Sequence, residues 1–213
     1  MLFRSVDAYA LPALVQVTAD LMTALDVPVA DVVGHDWGAN VAWGLAAWHP
    51  DRVRTLTAVS VPHPTAYTLA YRADPEQKER SAYISLLRRD GAEDLLLADD
   101  ARRLRRVLEA PGVPAEAVDV YVAQLAAPGA LTAALNWYRA MDGTRVDPVD
   151  VATTYLWSDG DVAVGRIAAE ACADQVTGDY RFVELPGITH WVPEQSPEAL
   201  ARAIVDRVAT AGR

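Results

Sequence analysis

The chain has 213 residues, 52 % hydrophobic and 23 % charged, enough for one buried core with room for an insertion. Its formal net charge of −10 argues against nucleic acid or an anionic membrane as partner, since both select clustered Lys and Arg. Cys172 is the single cysteine, which rules out an intramolecular disulfide, and no apolar run approaches the ~20 residues that span a bilayer; the expected location is cytoplasmic.

Residues 11–25 carry apolar side chains at helical intervals (Leu14, Val15, Leu21, Met22, Leu25), with Pro12 near the start. Residues 29–33 read as a short strand with Asp31 as the polar interruption, and residues 39–48 as a helix that His49-Pro50 stops. The β-branched run 53–61 is the next strand, so strand, helix and strand imply a parallel crossover. After Pro62-His63-Pro64 the character changes. From 65 to 141 there is no strand pattern, and helices are expected at 83–87, 93–108, 116–125 and 131–141, separated by Gly and Pro. Arg102, Arg103, Arg105 and Arg106, beside Asp99 and Asp100, read as a solvated helix face. Strands return at 152–157 and 180–185, with helices at 167–176 and 197–209.

The fold class is therefore α/β, a mostly parallel sheet with a helical insertion. Its expected parts are 1–62, the first part of the core; 63–147, the helical insertion; and 148–213, the rest of the core.

One hexapeptide carries the chemistry: Val33-Gly34-His35-Asp36-Trp37-Gly38, set between a strand and a helix. A sharp turn flanked by glycines, which lack a Cβ, holds the tip residue clear of the sheet as a nucleophile elbow. Here the tip is Asp36. A carboxylate nucleophile forms an ester with a carbon electrophile, so the expected reaction is displacement at carbon. A bland reading of Asp36 as a helix N-cap stands beside this one.

Such a nucleophile needs an acid and then a base later in the chain. Asp161 follows the strand ending at Trp157, and His190 follows the one ending near Leu185, both beyond the C-terminal strand ends where open α/β sheets place their sites. Asp159 competes with Asp161 for the acid. His35 reads as a structural neighbour of the elbow, and Trp43, Trp48 and Trp137 as packing residues. Scattered histidines and the lack of a phosphate-binding Gly-rich loop give no metal or cofactor motif.

The Val33–Gly38 hexapeptide, Val61-Pro62-His63-Pro64, Leu135-Asn136-Trp137-Tyr138-Arg139 and Gly187-Ile188-Thr189-His190-Trp191 resemble segments of the epoxide hydrolase branch of the α/β-hydrolases. The resemblance implies an α/β-hydrolase core with a helical cap, an aspartyl-ester mechanism with water as second reactant, and a small apolar substrate. It implies two cap tyrosines that bind the epoxide oxygen, matched to Tyr138 and to Tyr83, with Tyr71 competing for the second place. The backbone N–H of Trp37 is the implied oxyanion donor. Haloalkane dehalogenases share Asp-Trp-Gly, and a non-catalytic α/β domain is a third reading. Ser158 stands where the family has Gly before the acid. The family's earlier strands and its His-Gly-x-Pro loop have no counterpart here, so the chain reads as N-terminally truncated, with strand 29–33 left as a sheet edge.

Overall fold

A computed structural model describes residues 5–109 and 113–210. Four strands, β1 (Ala30–His35), β2 (Val53–Val59), β3 (Ala152–Ser158) and β4 (Tyr180–Leu185), form a sheet in the order β1-β2-β3-β4. Every neighbouring pair is parallel. Parallel neighbours need a crossover. Helix α2 (Trp37–Trp48) supplies it between β1 and β2, and α9 (Arg166–Glu170) with a 3-10 turn (Ala171–Gln175) supplies it between β3 and β4. Between β2 and β3 run, among the described residues, six helices: α3 (Pro64–Ala73), α4 (Pro75–Arg80), α5 (Tyr83–Arg88), α6 (Ala92–Leu108), α7 (Ala115–Leu125) and α8 (Ala130–Arg139). Helix α1 (Leu11–Ala24) precedes the sheet; α10 (Val192–Gln195) and α11 (Pro197–Thr210) follow it.

Alternation along the strands sorts the core onto two faces. Leu56, Ala58, Tyr155 and Trp157 join Val15, Trp43 and Leu45 of α1 and α2 in the larger cluster. Val59, Leu156 and Leu185 join Ala203 of α11 in the other. Residues 92–135 bury a core of their own, with Leu96, Leu104, Val122 and Leu135 at its centre. One buried cation, Arg207, pins α11 to β3 by donating to Thr154 Oγ1 (2.8 Å) and the Thr153 carbonyl (3.0 Å), and it pairs with Asp179. No single helix among the described residues is long and apolar enough to cross a membrane.

The register brings the strand ends level: His35 lies beside Val59, Val59 beside Leu156, and Leu156 beside Val183. The residues after each strand therefore emerge along one rim. Strand β1 pairs only with β2 among the described residues, and Val29 and Val33 are exposed there.

Several helices differ from the sequence reading. Helices α3 and α4 were not among the helices expected: Pro64 looked like a break, and Pro75 was passed over. Each proline instead opens a helix whose preceding side chain caps it: His63 Nδ1 accepts from Thr65 N (3.2 Å) and Asp74 Oδ1 from Glu76 N (3.0 Å). Helix α6 is not continuous. At Asp99, Asp100 and Ala101 the backbone turns left-handed (φ 53°, 57° and 56°), which aspartate tolerates better than most residues. The 167–176 helix ends at Glu170 and continues only as a 3-10 turn. The basic run does lie on an exposed face, where Arg102 pairs with Asp99 and Arg105 with Asp119.

Candidate active site

The elbow begins with a close approach. A Cβ on Gly34 would sit 2.3 Å from the Gly38 carbonyl oxygen, so any larger residue would push the end of β1 off the start of α2. Nothing lies within 4 Å of the corresponding point on Gly38, which corrects the expectation that both glycines serve this contact. At the tip, Asp36 has φ 53° and ψ −123°, a conformation costly for a residue with a Cβ. Its carboxylate makes no capping bond into α2, so the N-cap reading does not account for it.

The other two triad candidates converge on it from the same rim. His190 Nε2 is 3.2 Å from Asp36 Oδ1, and His190 Nδ1 is 2.8 Å from Asp161 Oδ2. The second Asp161 oxygen accepts from the N–H groups of Ala163 (2.7 Å) and Val164 (3.0 Å). Asp161 is buried, and both its oxygens are occupied. Asp159 turns away and accepts from Gly187 N (2.7 Å), so it ties the turn and does not reach His190.

Ser60, which sequence reasoning passed over, holds the His190 backbone together with His35. The His190 carbonyl receives Ser60 Oγ (2.9 Å) and lies 2.9 Å from His35 Nε2, which gives His35 the neighbouring structural place expected of it. Ser60 reaches it from a left-handed backbone (φ 65°) just after β2. Ser158, where a glycine was expected, donates to the Thr189 carbonyl at 2.7 Å. His63 and Cys172 are both buried and bonded to each other through His63 N–H and the Cys172 sulfur (3.0 Å). Trp43 is fully buried, with its indole N–H on the Val61 carbonyl (3.2 Å).

Asp36 and His190 open on a cavity of about 40 Å³, also lined by Trp37, Tyr67, Tyr83 and Tyr138. Tyr138 packs edge-on against Trp37 (5.2 Å between ring centroids) and Tyr83 edge-on against Tyr138 (6.2 Å). Tyr71 stacks on Tyr67 outside the cavity lining, whereas Tyr83 lines the cavity, so of the two candidates Tyr83 is the one beside Tyr138. Trp137 packs on Trp37 and Tyr9. Arg139 anchors this helix by a two-pronged ion pair to Glu93 (2.8 Å each), which pulls the Glu93 pKa down to about 2.

Electrostatics divide the groups by role. Burial disfavours charge on His190, but hydrogen bonds and charge from Asp161 and Asp36 outweigh it and push its pKa up to about 10. Burial alone would raise Asp36; hydrogen bonding and charge from His190, with the Trp37 amide, leave it lowered. Tyr83 and Tyr138 are both raised, chiefly by burial, then Tyr83 by Tyr138 and Tyr138 by the Asp36 charge, so they stay neutral phenols. Among the described residues no group of His, Cys, Asp and Glu forms a metal cluster.

Residues 3–203 match the alpha/beta hydrolase family. The chain belongs to that family. Epoxide hydrolase 3 of Xenopus tropicalis is similar to this α/β-hydrolase at 28 % identity over 94 % of the chain, which spans 58 % of that relative's length. The AB hydrolase superfamily protein YfhM of Bacillus subtilis is 30 % identical, over 95 % of the chain and 74 % of the relative. Among solved structures, epoxide hydrolase A from Mycobacterium thermoresistibile superposes with a TM-score of 0.79 at 26 % identity, covering 97 % and 77 % of the two chains. An epoxide hydrolase from Bacillus megaterium gives 0.88 at 19 % identity, covering 97 % and 78 %, a likeness of fold.

Proposed function

We propose that this α/β-hydrolase opens epoxides to vicinal diols through an ester on Asp36. One observation carries the reading: a carboxylate at the elbow tip, 3.2 Å from His190, faces the same cavity as two neutral phenols. The epoxide hydrolases among its relatives support it.

In the first half-reaction Asp36 attacks an epoxide carbon from behind and the C–O bond breaks. The oxygen that leaves gains negative charge and takes a proton from Tyr138 or Tyr83. Esterification removes one of the two carboxylates that hold the extra proton on His190. The imidazolium then gives that proton up, with net transfer to the strongly basic phenolate, and becomes a base at the step that needs one. In the second half-reaction neutral His190 deprotonates a water that attacks the Asp36 carbonyl carbon. Trp37 N–H is placed to stabilise the oxyanion. Collapse expels the diol as an alkoxide, which takes the remaining water proton from the Asp36 carboxyl and leaves a restored carboxylate beside protonated His190. Asp161 fixes the imidazole orientation throughout. Residues 63–147 act as the cap that excludes solvent.

Dehalogenation is less favoured, because a departing halide ion has no use for a phenolic acid. Single turnover of an epoxide in heavy-oxygen water tests the proposal. The label is expected on the Asp36 carboxylate, with the diol unlabelled in that first cycle. Label in the diol alone would mean direct attack by water.

A further inference from the structure

Gln77, on α4, is fully buried, and both the oxygen and the nitrogen of its amide are hydrogen-bonded. Its Oε1 accepts from Gly165 N (2.9 Å), and its Nε2 donates to the Ala163 carbonyl (2.8 Å) and Ser81 Oγ (3.1 Å). A backbone N–H can only donate and a carbonyl only accept, so these partners fix which way the amide faces. Two of the three lie in the turn 161–165, whose own N–H groups hold Asp161 Oδ1 and leave Oδ2 for His190. From the same helix, the Arg80 guanidinium donates to the Asp161 carbonyl. Helix α4 therefore grips the turn at residues 161, 163 and 165.

The other end of the amide leads to the cavity. Ser81 Oγ donates its proton to the Gln77 carbonyl (2.7 Å) and takes Gln77 Nε2 on one lone pair. Tyr67 OH lies 2.7 Å from the same hydroxyl, and either oxygen can be the donor. This bond ties Tyr67, on the cavity wall, to Ser81. It also makes one bonded path from the cavity wall, through Ser81 and Gln77, to the turn that carries the acid.

We propose that Gln77 is a positioning residue that holds Asp161 against His190 by clamping the turn 161–165 to the helices over the cavity. This rests on the hydrolytic reading for its consequence, since the Asp161–His190 contact is needed for ester hydrolysis rather than for attack by Asp36. Removing the clamp frees the turn, and Asp161 Oδ2 drifts from Nδ1. Burial lowers the His190 proton affinity and Asp161 and Asp36 raise it, while His35 lies across a ring contact of 5.2 Å.

The test is an NMR titration of the His190 imidazole without substrate, in the 213-residue chain, for wild type, Gln77→Met and Arg80→Ala. Methionine fills the space of glutamine with no hydrogen bonds. The His190 pKa should fall by about one unit in Gln77→Met, a tenfold weaker hold on the proton. In the partly exposed Arg80→Ala it should fall by less. Mere removal of a positive charge at residue 80 would raise it, so the sign separates positioning from charge. Arg80→Ala also keeps the question answerable if Gln77→Met does not fold. An unchanged or raised His190 pKa in the folded variants overturns the proposal. Absence of epoxide turnover in wild type would instead strike the functional reading and leave this titration standing. With turnover, Gln77→Met should slow ester hydrolysis at least about tenfold, short of the ~10²-fold that a 1 Å misplacement can cost, and leave the alkylation step nearly unchanged.

Discussion

Gly160 and Ile188 touch through their backbones: Gly160 N–H donates to the Ile188 carbonyl at 3.1 Å, and a Cβ on Gly160 would lie 2.6 Å from that oxygen. This contact closes the gap between the turn that ends in Asp161 and the loop that ends in His190. An added methyl must push the two loops apart. Gly160→Ala should therefore lengthen the 2.8 Å Asp161–His190 contact and cost about 1–3 kcal/mol of stability, as overpacking does. Denaturant unfolding and ester-hydrolysis rate measure both effects together, and a variant unchanged in both would show that the loops have slack.

The pH behaviour follows from the two carboxylates flanking His190. Its folded pKa, about 10, lies above the unfolded value near 6.5. The stability it contributes is then fully present below pH ~6.5 and fades as pH rises toward 10. NMR titration should find the resting imidazole protonated at neutral pH, and Asp36→Asn, which mimics the neutral ester, should lower its pKa. A His190 that is already neutral at pH 7 in the free protein would contradict the switch by esterification.

Tyr138 offers the separation of epoxide from halide chemistry. Tyr138→Phe should slow epoxide opening by on the order of 10²–10³, the usual cost of losing a donor to a developing oxyanion. Halide release from an alkyl halide, if it occurs, should be nearly unaffected. Alkylation rates from rapid-mixing kinetics give the comparison, and equal slowing of both would remove the phenol from the role of acid.

The parts of the fold with strong periodicity were legible from sequence. β4 and the two long helices flanking the sheet carry local apolar patterns that survive packing, and the order Asp36, Asp161, His190 follows from chain position alone. What escaped notice is non-local. Ser60 and Gly160 act through backbone geometry set by partners about 130 and 30 residues away. Gln77 looks like one more polar residue in a charged helix until the turn at 161–165 is folded over it. Arg207 had the same disguise: a cation in an amphipathic helix whose burial depends on Thr153 and Thr154 of β3. Pro64 misled because a proline that breaks the pattern before it can also open a helix at its first position.

Alkylation of Asp36 before water acts is the step on which the whole scheme turns. His190→Gln keeps the elbow and the phenols but removes the base for the second step. Mixed with an excess of a simple aryl epoxide, this variant should gain the mass of one epoxide per chain, and peptide mapping should find that mass on Asp36. Asp36→Asn should gain none. A His190→Gln protein that stays at its original mass while the wild type turns the epoxide over would contradict the covalent account.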